Sequence, residues 1–243
     1  MESGAAANGR MAEHRGARAA VLDIAGAGFV ADPAGALFDA AQGLLIVADL
    51  HLEKGSAYAA RRVLLPPYDT AATLARLRLL VLRYRPRAIA ALGDSFHDGG
   101  AGERLQEGDR ATLAELQHGR DWLWIAGNHD PAPPAGLGGE AHAEMACNGV
   151  TLRHAPRPGA IAGEIAGHLH PVARVASSRG ILRRRCFVAD GARCVMPAFG
   201  AYAGGLNLRD AAFAPLFGRR AFTAHVLGRD RVYAIGPGRC LGD

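Results

Sequence analysis

Three short apolar runs in this chain each break off into polar residues: "GLLIVADLH" at 43–51, "RAIAALGD" at 87–94 and "DWLWIAGNHD" at 121–130. The runs are short, apolar and bounded by polar residues, so each predicts a buried strand. Between the first two, "PPYDTAATLARLRLLVLRYRP" predicts a helix. Leu74, Leu77, Leu80 and Val81 form its apolar stripe, Asp69 or Thr70 is the candidate N-cap, and Pro86 stops it. "ERLQEGDRATLAELQHG" predicts a second helix before the third strand. A β-α-β-α-β order requires helices packed on a largely parallel sheet. Open α/β sheets place ligands at the carboxyl ends of such strands.

Beyond Pro134 the pattern changes. "GVTLRHAP", "AIAGEIAGHLH", "RRRCFVAD", "RCVMPAF", "AFTAHVLG" and "RVYAIGP" are short β-type runs separated by turn residues. They predict a second sheet that completes a two-sheet core, so the fold class is α/β (α+β) with flanking helices. A chain of 243 residues, 49% hydrophobic and 21% charged, can build one large core. One domain over 19–243 follows, preceded by a small, polar, arginine-bearing segment at 1–18 that reads as a flexible tail. That tail has no apolar core of a signal peptide, and no run in the chain is long enough to span a bilayer. Cys147, Cys186, Cys194 and Cys240 form no CxxC pair, so they read as reduced, buried thiols of a cytoplasmic protein. The net charge of +5 is carried almost wholly by arginine, with Lys54 the single lysine. That balance suits a polyanionic partner.

The polar ends of the runs carry the chemistry. Asp49 and His51 are two residues apart, which in an extended strand points both side chains to one side. Asp94 follows Gly93, where the backbone can turn closely. Asn128, His129 and Asp130 follow the third run, and "GHLH" adds His168 and His170. Taken singly, each fragment is an ordinary polar turn. Together they offer carboxylate, amide oxygen and imidazole without thiolate, a set that suits Mn²⁺, Fe²⁺ or Zn²⁺. One ion cannot use so many ligands, whereas two adjacent divalent ions could share Asp94. Two such ions exceed the charge of Asp49 and Asp94 and leave a place for an anionic phosphate ester.

The order DxH, GD, GNHD, H, GHxH resembles the calcineurin-like metallophosphoesterase superfamily over roughly residues 44 to 172. That resemblance implies a two-sheet β-sandwich flanked by helices. It implies one metal on Asp49, His51, Asp94 and His170, and a second on Asp94, Asn128, His154 and His168. Family members often have His-Gly where this chain reads "LRHAP", and His142 in "GGEAHAEMA" is a competitor for that place. "VADLHLEKGSAYAARRVLLPPYDT", "LGDSFHD", "AGEIAGHLHP" and "MPAFGAYAGGLNL" further resemble the ligase-associated DNA damage response endonucleases, the PdeM-type phosphoesterases. The implied activity is metal-dependent hydrolysis of phosphodiesters, DNA among them, with two divalent ions, manganese first and iron or zinc as alternatives. The implied partners are a DNA-repair ligase or helicase.

Within the resemblance, His129 stabilises the transition state or protonates the leaving oxygen, and His97 helps to bind the scissile phosphate. The structural alternative for His97 is a loop imidazole bonded to Asp98. Two other functions fit the same pattern: a small-molecule phosphomonoesterase with the same centre, and a non-catalytic scaffold on the same fold. Arg61, Arg62 and the run Arg183, Arg184 and Arg185 are candidates for a phosphate backbone or a solvated face. Lys54 either approaches the site or pairs near Glu53, and "AFGAYAGGLN" is a Gly-rich loop able to pack beside a ligand. No basic stretch interleaved with aromatic residues, of the kind that stacks single strands, is evident in the sequence.

Overall fold

The computed structural model describes residues 20–63, 65–178, 180–218 and 222–243. The tail expected at 1–18 lies outside the described residues. The first run becomes β4 (Leu44–Ala48), the second β5 (Ala88–Leu92) and the third β6 (Asp121–Ile125). They pair in parallel in that order, and β6 pairs in parallel with β7 (Glu140–His142). Ahead of them β1 (Ala20–Ile24), β2 (Ala27–Ala31) and β3 (Leu37–Asp39) form an antiparallel meander that joins β4. The seven-stranded sheet is therefore mixed, not largely parallel. The residues of the meander carry short turns that antiparallel neighbours can use, whereas parallel ones need a crossover.

The second sheet is built from β8 (Met145–Cys147), β9 (Val150–Arg153), β10 (Glu164–Ala166), β11 (Val172–Ser177), β12 (Gly180–Ala189), β13 (Arg193–Val195), β14 (Thr223–Leu227) and β15 (Val232–Ile235). Its order is β15-β14-β12-β13-β10-β9-β8, with β11 paired to β12. The two sheets pack face to face. Ile46, Ala48, Ala90, Leu92 and Ile125 meet Leu152, Ile165, Phe187 and Met196 in the core between them. Along β4 alternate side chains face opposite ways, so Leu45 and Val47 pack instead against the helices.

The helices cover the outer face of the first sheet. They are α1 (Lys54–Ala60), α2 (Asp69–Tyr84), α3 (Ala101–Arg104) and α4 (Glu107–Gln117), and α5 (Ala214–Phe217) lies against the second sheet. The stripe Leu74, Leu77, Leu80 and Val81 of α2 is buried as expected. Its cap differs from expectation. Tyr68 is the N-cap and makes no side-chain cap bond, because Asp69 and Thr70 are used elsewhere. The Asp69 carboxylate accepts from the Gly55 N–H at 3.1 Å, and the Thr70 hydroxyl oxygen accepts from the Glu53 N–H at 2.8 Å. Arg85, left-handed at φ 46°, ends α2 before Pro86.

The second predicted helix is broken in two. Leu105 turns extended (φ −60°, ψ 115°) and is buried in the core between sheet and helices. Burying that side chain outweighs the continuity of one helix. Among the described residues no helix is long and apolar enough to cross a membrane. The four cysteines are unpaired; Cys186, Cys194 and Cys240 are buried and Cys147 only half-buried.

Candidate metal centre

The site lies beyond the carboxyl ends of β4, β5, β6, β9 and β10. After β4 and β5 the chain segments continue side by side: the N–H groups of Asp49, His51 and Leu52 donate to the carbonyls of Gly93, Asp94 and Ser95 at 3.2, 2.9 and 2.8 Å. This pairing sets the Asp49 and Asp94 motifs next to each other. The two segments are not extended, however. Asp49, His51 and Glu53 have φ of 53°, 44° and 63°, Asp94 has 44°, and His168 and His170 have 69° and 47°. Alternation along a strand therefore does not explain why Asp49 and His51, or His168 and His170, converge. A left-handed backbone at every second residue does. Such conformations are uncommon outside glycine and cluster at functional sites.

Two groups of side chains result. Asp49, His51 and His170 offer one ligand atom each within 4.8 Å of one another, and so do Asp94, His154 and His168. Either group could hold a metal ion. In the first, His51 Nε2 faces His170 Nε2 at 3.4 Å, and His170 Nε2 is 3.3 Å from Asp49 Oδ1. In the second, His168 Nδ1 is 3.0 Å from His154 Nε2, which also faces Asn128 Oδ1 at 2.8 Å and Asp94 Oδ1 at 3.4 Å. His154 Nδ1 lies 3.1 Å from the Leu92 carbonyl, an acceptor only, so Nδ1 carries the proton. His154 Nε2 then presents a lone pair to two oxygen atoms, a cluster of acceptors that a cation satisfies. The structure thus brings His154 together with Asp94 and His168, and Asn128 stands beside it. The competitor His142 is in β7 and paired in register with Ile125, so it is not part of either group.

The carboxylates are fixed by backbone donors from opposite motifs. The His168 N–H donates to Asp49 Oδ2 at 3.0 Å, and the His129 N–H donates to Asp94 Oδ1 at 3.0 Å. Asp49, Asp94, His51 and His154 are buried, while Asn128, His129 and His168 are exposed. The centre thus opens to solvent on one side. Burial, then the neighbouring His170, pushes the His51 pKa down to about 2. Burial lowers that of His168 as well, with the charge of His154. Neutral imidazoles are the form that binds a cation. Burial raises Asp130 to about 7, against a bond from the Phe96 N–H to its Oδ2 at 3.0 Å and with the charge of Asp94 behind it.

His97 and His129 lie at the open side with their rings stacked, centroids 5.5 Å apart at 16°. Each ring is close to His51, at 5.7 and 5.6 Å. Asp98 does not hold His97: its carboxylate is taken by Arg104 at 2.5 Å and by the Gly100 N–H at 3.0 Å. Burial and the charges of Lys54 and His129 lower the His97 pKa, so this ring is neutral at pH 7. Glu53 is likewise occupied, by the hydroxyls of Ser56 and Thr70 at 2.6 and 2.9 Å. Lys54 makes no ion pair among the described residues and lies on the His97 side.

Two other sequence features take structural parts. The Gly-rich loop runs behind the metal motifs. Phe199 and Gly200 donate to the carbonyls of Ala48 and Asp49 at 2.8 and 3.0 Å, and Leu206 donates to that of His170 at 3.2 Å. A side chain at Gly200 would strike the Leu50 carbonyl. Arg185 clamps this loop through the carbonyls of Ala198, Gly200 and Ala203, so it is not free for a phosphate backbone. Arg183 and Arg184 remain exposed, as do Arg61 and Arg62. The sequence missed α1, whose only apolar residues besides Tyr58 are alanines, and with it the placement of Lys54, Tyr58 and Arg61 around His97.

No protein-family model matches this chain, and no curated protein does. Among solved structures it is similar to the Pseudomonas putida nuclease MPE, with 25% sequence identity and a TM-score of 0.66. The match covers 90% of this chain and 100% of that one. The two-sheet, helix-flanked architecture is thus that of a metallophosphoesterase-like nuclease fold.

Proposed function

We propose that this protein is a di-metal phosphodiesterase acting on nucleic acid, with manganese as its metal. The observation that carries the reading is the adjacency of two Asp/His groups under a stacked pair of histidines at an open face. The mixed oxygen and imidazole donors suit Mn²⁺, Fe²⁺ or Zn²⁺ and no thiolate competes. Asp49, His51 and His170 would hold one ion, and Asp94, Asn128, His154 and His168 the other. Asp94 turns Oδ1 to the second group and has Oδ2 3.9 Å from His129 Nε2, on the side of His51, which supports its part as the shared ligand. When bound, such a pair activates water near neutral pH and stabilises both oxygens of an in-line displacement.

The chain's own residues supply the rest. His97, neutral and flanked by Lys54, donates a hydrogen bond to a non-bridging phosphate oxygen. His129, exposed at the mouth with its backbone fixed on Asp94, reaches the leaving oxygen and gives it a proton. The similarity to a nuclease and the basic balance of the chain favour a nucleic-acid diester over a small monoester. The DNA-repair setting, with a ligase or helicase as partner, is carried by the motif resemblance, and a cytoplasmic location by the unpaired cysteines.

The test is a parallel assay of the metal-reconstituted protein on a phosphomonoester, bis(p-nitrophenyl) phosphate and DNA. Hydrolysis of both diesters, faster than that of the monoester, is expected. Preference for the monoester with DNA left intact would contradict the proposal.

A further inference from the structure

The short helix α1 follows directly on the first metal motif and is fixed at its back. Gly55 and Ala57 are buried, the Gly55 N–H is held by Asp69, and Arg104 Nε donates to the Ser56 hydroxyl at 3.0 Å. The residues on its other side are Lys54, Tyr58 and, at its C-cap, Arg61. At 3.6 residues per turn, positions i, i+4 and i+7 fall within one narrow face of a helix. The contacts agree with that geometry. Lys54 Nζ is 5.9 Å from the centre of the Tyr58 ring, and that ring is 5.7 Å from the His97 ring. Both Lys54 and Arg61 are near enough to His97 to act on its charge. His97 in turn stacks on His129, so the four side chains lead without a break from α1 to the metal groups.

Among the described residues Lys54 contacts Tyr58 and Tyr58 contacts His97, but none of the three α1 side chains makes a salt bridge or a side-chain hydrogen bond. Lys54 and Arg61 form no ion pair among the described residues, and Glu53 is already satisfied by two hydroxyls. Tyr58 is half-buried and Arg61 exposed. The stem of Lys54 is half-buried and its ammonium finds no carboxylate among the described residues, which leaves the charge available to an anion. Lys54 and Arg61 are separated by about 10 Å of backbone rise along the helix with an aromatic residue between them, an order that matches a chain in which charged phosphates alternate with flat bases.

We propose that the Lys54–Tyr58–Arg61 face of α1 is the track for the substrate strand: the two cations bind two successive phosphates on one side of the scissile one, and Tyr58 stacks the base between them. This assignment rests on the nucleic-acid phosphodiesterase reading and determines which diesters the centre accepts. The track makes the difference between a polynucleotide and a small diester, because the latter has neither a second phosphate nor a stacked base to offer.

Strand binding and diester turnover test the two readings separately. The full chain, loaded with Mn²⁺ and carrying His129→Ala to keep the strand intact, is titrated against a labelled single-stranded oligonucleotide and an abasic strand with the same number of phosphates. Fluorescence anisotropy is followed over a range of salt concentrations. Lys54→Ala or Arg61→Ala weakens binding of both strands and lowers the slope of log affinity against log salt by about 0.7 each. Tyr58→Ala weakens binding of the base-bearing strand roughly five- to a hundredfold and spares the abasic one. Lys54→Arg and Tyr58→Phe restore most of each loss. With an intact His129, Lys54→Ala loses more kcat/KM on the oligonucleotide than on bis(p-nitrophenyl) phosphate, chiefly through KM. An unchanged salt slope for Lys54→Ala, or equal losses on both strands for Tyr58→Ala, would overturn the track. Turnover of the small diester by a wild-type protein that binds no strand would also overturn the track and leave the phosphodiesterase reading standing. Strand binding with the expected variant pattern, but no turnover of any diester, would support the track and remove the hydrolase.

Discussion

His154 shows how closely single residues set the centre. Its Nδ1 is tied to the Leu92 carbonyl, and Gly93 lies against its ring with φ 67°. A Cβ at Gly93 would stand 2.5 Å from the imidazole, and the left-handed backbone resists any other residue. Gly93→Ala therefore displaces His154. Affinity at the second group should fall by about ten- to a hundredfold, as for other changes that disorient a ligand. Calorimetric metal titration reads this directly, and affinity equal to wild type would contradict it. Charge adds a pH dependence. Burial depresses the pKa values of His51, His97, His168 and His225 in the folded chain. As pH falls through about 6.5 the unfolded chain takes up protons that the folded one refuses, so stability drops. Asp130, raised to about 7, acts oppositely, since folded it keeps a proton that the unfolded chain has released above its ordinary 3.8. Burial and the charge of Asp69 raise Asp109 in the same direction. With four imidazoles against these two carboxyls, the denaturation midpoint of the metal-free protein should decrease from pH 7 to pH 5. A flat or rising midpoint would show that other groups dominate.

Among the elements, β4 carries the most, for it is buried on both faces and ends in the first metal motif. Ile46 fills the core between the sheets and Leu45 the core under the helices. Truncating either to alanine should cost about 2–5 kcal/mol of stability, measured by urea denaturation. A loss below about 1 kcal/mol would mean that the neighbours collapse into the space. The same strand explains what could be read from the sequence. β4, β5, β6 and α2 are written in apolar runs and a 3.6-residue stripe, because burial selects their side chains. The candidate metal residues were also legible, since Asp49, His51, Asp94, Asn128, His168 and His170 interrupt those runs with side chains that only a cation or solvent would satisfy. Their backbone was not legible: the left-handed turns at Asp49, His51, His168 and His170 come from the tertiary pairing of neighbouring segments, and local preference opposes them. The element α1 was missed for a related reason. "KGSAYAA" has too little apolar surface for a stripe, and it is held by side chains of Asp69 and Arg104 that are distant in sequence. The division of the second predicted helix at Leu105 is of the same kind, a tertiary burial that overrides a local pattern.

At the scale of the whole molecule, the two sheets bring five strand ends to one rim, and no single element holds a complete metal site. Asp49 comes from the end of β4, Asp94 from β5, His154 from β9, and His168 and His170 from β10. The Gly-rich loop supports this rim from behind and Arg185 clamps the loop, which is why the chain beyond the motifs is needed to build it. As proposed, the centre holds two ions and works only when both are present. The most direct measurement is a Mn²⁺ titration of the exhaustively chelated protein, with bound metal and hydrolysis of bis(p-nitrophenyl) phosphate followed together. Two ions should bind per chain, activity should be nil without metal and rise with occupancy of the second ion, and Asp94→Asn should lose both the second ion and turnover. Full turnover after complete removal of metal, or a plateau of activity at one ion per chain, would contradict it.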